Sequence, residues 1–128
     1  MNYLLDTHTF LWFINDDVAL SPTAKLTIEA SENDVYLSIA SIWEMAIKVS
    51  LGKLAIPSPF MDFVMTQVDE NGINLLDIKP IHLVGILNMP FYHRDPFDRL
   101  IISQAKYENL TIIGNDTLFS NYAIRLLW

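Results

Sequence analysis

The chain has 128 residues, no cysteine, and 15 Asp and Glu against 8 Lys and Arg, for a formal net charge of −7. Apolar residues make up 52% and charged ones 18%, which is ample for one hydrophobic core and too apolar for disorder. These figures exclude disulfides and thiolate metal sites; they argue against coating nucleic acid through a basic face, but not against a nuclease whose metal ions bring the positive charge.

The opening Met1-Asn2-Tyr3-Leu4-Leu5-Asp6 lacks the basic region of a secretory signal, and Phe10 to Ile14 is far too short to span a bilayer. The expectation is a soluble cytoplasmic protein with no membrane association. Pro and Gly punctuate the chain rather than cluster, and no repeat or linker interrupts it, so residues 1–128 are read as one domain.

Tyr3 to Leu5 reads as a buried strand closed by Asp6. Thr7 to Ile14 reads as a short helix capped by Asp6 or Thr7. Ser21-Pro22 is an N-cap followed by proline at the first helical position, and opens a helix to about Ser31. Val35 to Leu37 is a second strand, ending at Ser38. Ile39 to Leu51 is helical and apolar nearly all round, so it is expected to be well buried, with Gly52 just past its end. Pro59 to Glu70 is a helix closing near Gly72, Ile73 to Leu76 a third strand, and Pro80 to Asn88 a helix. Asp95-Pro96 opens a helix to about Glu108. Leu110 to Ile113 is the fourth strand, followed by Gly114-Asn115-Asp116, and Ile124 to Leu127 a weak fifth. Apolar strands alternating with helices predict a three-layer α/β/α sandwich around a central, mainly parallel sheet.

Parallel strands end at one edge, where ligands bind at the switch point of strand order. Asp6 closes the first strand and Asp116 follows the fourth. The helix after the second strand starts at that edge with Glu44 near its beginning, and the helix before the fourth starts there with Asp98 in its first turn. The topology thus gathers Asp6, Glu44, Asp98 and Asp116 on one side. Four crowded carboxylates persist when some are protonated or when cations lie between them. Oxygen-only ligation favours Mg²⁺ or Mn²⁺ over Zn²⁺, and such a site suits phosphodiester hydrolysis.

Each acid also has a plainer reading. Asp6 can cap the first helix. Ser41 and Glu44 match a capping box, and Glu44 with Lys48 is an i,i+4 ion pair. Asp95 is an N-cap, Asp98 favours the positive helix end, and Asp116 suits a turn. Their joint placement, and the cost of an acid inside an apolar helix, tilt the reading toward function. Ser38 and Ser41 can cap the third helix, and Ser38 can also touch a metal-bound water. His93, Arg94 and Arg99 flank the acidic helix start and could hold phosphate; for Arg99 a pairing with a neighbouring acid is preferred. His8 reads as a hydrogen-bonded packing residue, and Trp12, Trp43, Phe60 and Phe63 as core residues first and partner surface second.

Leu4-Leu5-Asp6-Thr7-His8, the set Ser38, Ser41, Trp43, Glu44 and Lys48, and His93-Arg94-Asp95-Pro96-Phe97-Asp98-Arg99 resemble PIN-domain proteins, and within them the VapC-like toxins of bacterial type II toxin–antitoxin pairs. The resemblance covers nearly the whole chain, and the ordered set is more specific than any one piece. It implies a metal-dependent ribonuclease with Mg²⁺ or Mn²⁺ in an acidic pocket. The family's four acids fall on Asp6, Glu44, Asp98 and Asp116, with Asp95 a further feature of this branch. The family often carries Thr or Ser two positions before its last acid; here Gly114 stands there, which bears on the fine geometry of the site, and Asn115 can supply a polar contact instead. The resemblance further implies RNA as substrate, 5′-phosphate and 3′-hydroxyl products, a cognate antitoxin, and a homodimer or toxin–antitoxin hetero-oligomer.

Three rivals remain open at this stage. A haloacid-dehalogenase-like phosphatase would show Asp-x-Asp after the first strand, but here His8 follows Asp6-Thr7. A receiver-like domain could place Asp77 after its third strand, yet lacks the acidic pair after the first. A PIN-like module that binds RNA or metal without cutting is the non-enzymatic alternative.

Overall fold

Burial alternates along the strands and assigns their side chains to two cores. Tyr3, Leu5, Val35, Leu37 and Ile113 face one core; Leu4 and Ile112 face the other. This two-residue period, with both faces apolar, is what a parallel strand covered by helices on either side requires. The computed structural model describes all 128 residues, Met1–Trp128.

The strands are β1 (Asn2–Leu5), β2 (Asp34–Ser38), β3 (Asn74–Leu76), β4 (Thr111–Ile113) and β5 (Leu126–Leu127). They form one sheet in the order β3-β2-β1-β4-β5, and every pairing is parallel. The chain builds outward from β1 through β2 to β3, then returns to the other side of β1 with β4. The switch point therefore lies between β1 and β4, where Leu5 pairs with Ile113. The expected three-layer α/β/α architecture is present.

Helices α1 (Thr7–Ile14), α2 (Pro22–Glu29), α3 (Ile39–Ser50) and α4 (Phe60–Glu70) contribute Phe10, Ala24, Ile28, Ile42, Met45, Val64 and Val68 to the first core. Helix α6 (Pro96–Tyr107) and a 3₁₀ turn (Thr117–Tyr122) contribute Ile101, Ile102, Ala105, Phe119 and Tyr122 to the second, while α5 (Pro80–Val84) packs on α6. Each fully buried Leu or Ile contributes about 1.5–3 kcal/mol relative to exposure. No helix is long and apolar enough to cross a membrane.

Local chemistry sets the helix starts. Ser21 accepts from Ala24 N–H ahead of Pro22, and Asp95 accepts from Phe97 and Asp98 N–H ahead of Pro96. Gly52 and Gly72 lie just past α3 and α4 with φ of +70° and +64°, a region where an L side chain is strained.

Two expectations need correction. Helix α5 stops at Val84 rather than Asn88. Beyond it the backbone continues in tighter three-residue steps, Leu87 N–H to Val84 C=O and Met89 N–H to Ile86 C=O, while the Ile86 and Met89 carbonyls also accept from Arg99. Helix α3 is not buried all round: Ile42 and Met45 lie in the core, whereas Trp43 is 55% exposed and Ile47 is also exposed. Trp43 instead packs edge-on against Phe97 of α6, with ring centres 5.0 Å apart.

Candidate active site at the strand ends

Asp6 follows β1 directly. Its N–H donates to Ile113 C=O at 3.1 Å, so the β1–β4 ladder carries on to the acid itself. Its side chain caps α1 by accepting from Thr7 N–H at 2.9 Å. Thr9 Oγ1 also donates to Ile113 C=O, at 2.7 Å. Asp6 is thereby buried and fixed at the switch point.

Glu44 lies on the second turn of α3 and is 5% exposed. Thr7 Oγ1 donates to Glu44 Oε1 at 2.8 Å and lies 2.9 Å from Ser41 Oγ, while Lys48 Nζ donates to Oε2 at 2.7 Å. A buried carboxylate is thus held by one hydroxyl and one ammonium. Ser41 does not form the expected capping box. Ser38 is the N-cap, accepting from Ala40 N–H at 3.0 Å. The Ser38 hydroxyl donates to Gln104 Oε1 at 2.6 Å, so its proton is committed to α6.

Asp98 lies in the first turn of α6, and its N–H donates to Asp95 Oδ1 at 3.2 Å. Asp95 is an exposed helix cap. Asp116 caps the 3₁₀ turn, its Oδ1 accepting from Leu118 N–H at 3.0 Å, and its Oδ2 lies 2.6 Å from His93 Nε2. The plainer readings therefore hold together with the gathering: Asp6, Asp95 and Asp116 are caps, Glu44 is ion-paired, and all border one edge.

Charge separates these acids into two kinds. Burial pushes the Asp6 carboxyl up to about 6, against the Thr7 amide that lowers it, and the charges of Glu44 and Asp116 raise it further. Burial pushes Asp98 up to about 7, with Asp6, Asp95 and Glu44 adding to the rise. Glu44 is ion-paired with Lys48 and Asp116 is hydrogen-bonded to His93, but Asp6 and Asp98 have no side-chain partner of their own. No three of the acids lie close enough together in this structure to ligate one ion; they are near enough to feel one another's charge without closing on a single point. Even so, an all-oxygen donor set with an excess of negative charge fits a hard divalent cation, which would relieve the repulsion felt by Asp6 and Asp98.

Gly114 lies against this site. A Cβ built there would meet Asp6 Cβ at 3.1 Å and Oδ2 at 3.5 Å. Glycine at this position thus makes room for Asp6. Asn115 and Arg94 are exposed.

The basic residues depart from expectation. Arg99 is buried and pairs with no acid. Its Nη1 donates to the carbonyls of Pro90 (2.8 Å) and His93 (3.3 Å), its Nη2 to those of Met89 (3.3 Å) and Ile86 (3.4 Å), and the Phe91 ring covers it at 4.1 Å. Those oxygens were not visible in the sequence as ligands. His93 is buried among Phe119, Tyr122 and Asp116 rather than open to phosphate. His8 is exposed, its ring tilted against Trp12 at 5.8 Å. Sequence reasoning missed Thr7 as the bridge to Glu44, 37 positions away, and Tyr122 as a partner of His93; the only available signal for Thr7 was its place directly after Asp6.

Comparisons with known proteins bear on this geometry. The model of the PIN domain matches residues 3–125. No curated protein sequence matches the chain. Among solved structures, VapBC2 from Rickettsia felis bound to a DNA fragment from their promoter is similar at TM-score 0.71 and 19% identity, over 99% of this chain and 98% of that one. FitAcB from Neisseria gonorrhoeae is similar at TM-score 0.64 and 20% identity, over 100% and 97%. FitAB bound to an IR36 DNA fragment gives 0.63 and 18%, over 99% and 94%. At these identities the structures establish the shared fold. With the family model matched over nearly its whole length, the chain belongs to the PIN domain family, whose members are generally nucleases.

Proposed function

We propose that this protein is a divalent-metal-dependent endoribonuclease of the toxin type, acting in the cytoplasm as one domain over residues 1–128 and neutralised by a cognate antitoxin. The observation that carries the reading is the uncompensated pair Asp6 and Asp98. Both are held partly or wholly out of water with no cationic side chain bonded to them, burial raising the pKa of each and the charge of Asp6 raising that of Asp98 further, at the sheet edge where a PIN-family chain would do its chemistry. A purely structural site would pair or discard such charges.

In this reading Asp6, Asp98 and Asp116 would hold one or two Mg²⁺ or Mn²⁺ ions, directly or through water. A metal held by these residues would supply an activated water and neutralise charge on the phosphate. Glu44, held by Thr7 and Lys48, would ligate a second ion or orient the attacking water. Asp95 fixes the start of α6 and thus the aim of Asp98. Arg94, exposed beside Asp95, contacts the RNA backbone, and Asn115 makes a polar contact at the rim. Ser38 secures the start of α3 through its bond to Gln104. Hydrolysis leaves 5′-phosphate and 3′-hydroxyl ends.

The net charge of −7 opposes broad affinity for RNA and complements a basic inhibitory segment. The likeness to VapBC2 and FitAcB supports an antitoxin as partner; a homodimer or a toxin–antitoxin hetero-oligomer is the assembly that goes with this reading. The test is incubation of purified, antitoxin-free protein with total and defined RNAs in Mg²⁺, Mn²⁺ or EDTA. Discrete products carrying 5′-phosphates, formed only with metal, support the reading. Metal binding without cleavage of any RNA sinks it in favour of a non-cutting PIN-like binding module.

A further inference from the structure

His93 and Tyr122 form a buried connection that ends on Asp116. Arg99 fixes the backbone at one end, through four carbonyls of the segment from Ile86 to His93, including that of His93. The His93 backbone N–H donates to Tyr122 Oη at 2.6 Å, and His93 Nδ1 lies 3.0 Å from the same oxygen. The imidazole is stacked on Phe119, with centres 4.9 Å apart, and its Nε2 lies 2.6 Å from Asp116 Oδ2. Ring position, ring plane and both ring nitrogens are therefore all constrained.

Counting protons assigns the direction of these bonds. Tyr122 has one hydroxyl hydrogen. The Asp116 carboxylate can only accept, so the 2.6 Å contact places the ring hydrogen on Nε2, and Nδ1 of the neutral ring then accepts the Tyr122 hydroxyl hydrogen.

We propose that His93 is a positioning residue for Asp116, held by Tyr122 in the Nε2–H tautomer so that it fixes the direction of the Asp116 carboxylate in the acidic pocket. Asp116 needs such a support. It follows a three-residue strand, begins a 3₁₀ turn rather than a full helix, and is only half-buried. Leu118 N–H holds one carboxylate oxygen and His93 the other, and each oxygen keeps a lone pair for a ligand. Hydrogen-bond partners behind metal ligands act in this way, and their loss commonly weakens metal affinity roughly 10- to 100-fold. The proposal rests on the reading of Asp116 as a metal ligand.

The test compares Mn²⁺ titrations of wild type, His93→Phe, His93→Gln, Tyr122→Phe and Asp116→Asn, with thermal unfolding as the folding control. Phe keeps the stacked ring and loses the donor. Gln loses the ring but carries an N–H close to the Nε2 position. The expected order is a roughly 10- to 100-fold loss of affinity for His93→Phe and retention within a few-fold for His93→Gln. If the ring merely fills space, the order reverses, and that result overturns the proposal. Wild-type affinity in Asp116→Asn would remove the metal reading of Asp116 and the proposal with it. Weakened Asp116→Asn beside unaffected His93→Phe would overturn the proposal alone. Independently of metal, ¹⁵N-resolved histidine spectra at about pH 8, above the ordinary histidine range, report the tautomer directly. An Nε2–H ring that becomes a tautomer mixture in Tyr122→Phe supports the assignment; an Nδ1–H ring or an imidazolium in wild type overturns it.

Discussion

Gly114 stands against Asp6 so closely that a methyl group in its place would lie 3.1 Å from Asp6 Cβ. Asp6 cannot yield easily, because its N–H is tied to Ile113 and its carboxylate to Thr7 N–H. Gly114→Ala is therefore expected to displace Asp6 by a few tenths of an ångström, and Gly114→Thr by more. Misplacement near 1 Å commonly costs about 10²-fold in rate, so a loss of roughly tenfold is expected for Ala and more for Thr. Rates of RNA cleavage, with thermal unfolding as a control, check this. Unchanged cleavage by Gly114→Thr would show that the glycine is incidental.

The raised carboxyls of Asp6 and Asp98 fix the sign of a pH effect. Unfolded, each ionises near the ordinary value of 3.8; folded, near about 6 and about 7. Between these values the folded chain binds more protons than the unfolded one, so stability falls as pH rises through that window. Metal-free protein should melt a few degrees higher at about pH 5.5 than at about pH 8. Excess Mn²⁺ should raise Tm at the higher pH, by about 2.7 kcal/mol of stability at 100 times Kd, and by much less at the lower, where protons occupy the same carboxyls. Asp98→Asn should raise the metal-free Tm near neutrality and remove most of the metal increment. Calorimetry with and without Mn²⁺ reads all three, and a flat Tm across this range would contradict the charge account.

Arg99 binds carbonyls, not acids, and this separates its effect on the fold from any effect on substrate. Lysine cannot reach four oxygens with one point charge. Arg99→Lys is expected to destabilise by about 2 kcal/mol, as buried carbonyls lose their donors. Urea unfolding measures it. Undiminished stability with a raised KM for RNA would instead assign Arg99 to the phosphate.

Much of this architecture is legible in the sequence because local chemistry and burial agree. Asp6 is a cap at the end of an apolar run, Ser21 and Asp95 are caps ahead of a proline, and α1 runs over Thr7–Ile14 as its pattern predicts. Alternation with helices implies parallel strands, and parallel strands imply a shared edge, so the side of the sheet bearing the acids follows from order alone. What escaped the sequence depends on distant partners. Helix α5 gives way at Val84 to tighter turns whose Ile86 and Met89 carbonyls accept from Arg99, more than ten residues later. Trp43 is exposed because α3 needs only one stripe for the core, and apolar composition cannot tell which stripe faces solvent. His93 and Arg99 resemble phosphate ligands because they flank acids, and only the path of the chain turns them inward. The 3₁₀ turn carrying Phe119 and Tyr122 is too short to show a period.

The central claim is that the acidic pocket cuts RNA with a metal ion. Cleavage of one defined RNA by antitoxin-free wild type and by Asp6→Asn, in saturating Mn²⁺ and with both proteins shown to be folded, tests it most directly. The account predicts metal-dependent cleavage by wild type and a loss of at least about 10²-fold in Asp6→Asn, because a metal-bearing carboxylate becomes neutral without a change of shape. Equal cleavage by the two proteins would contradict it.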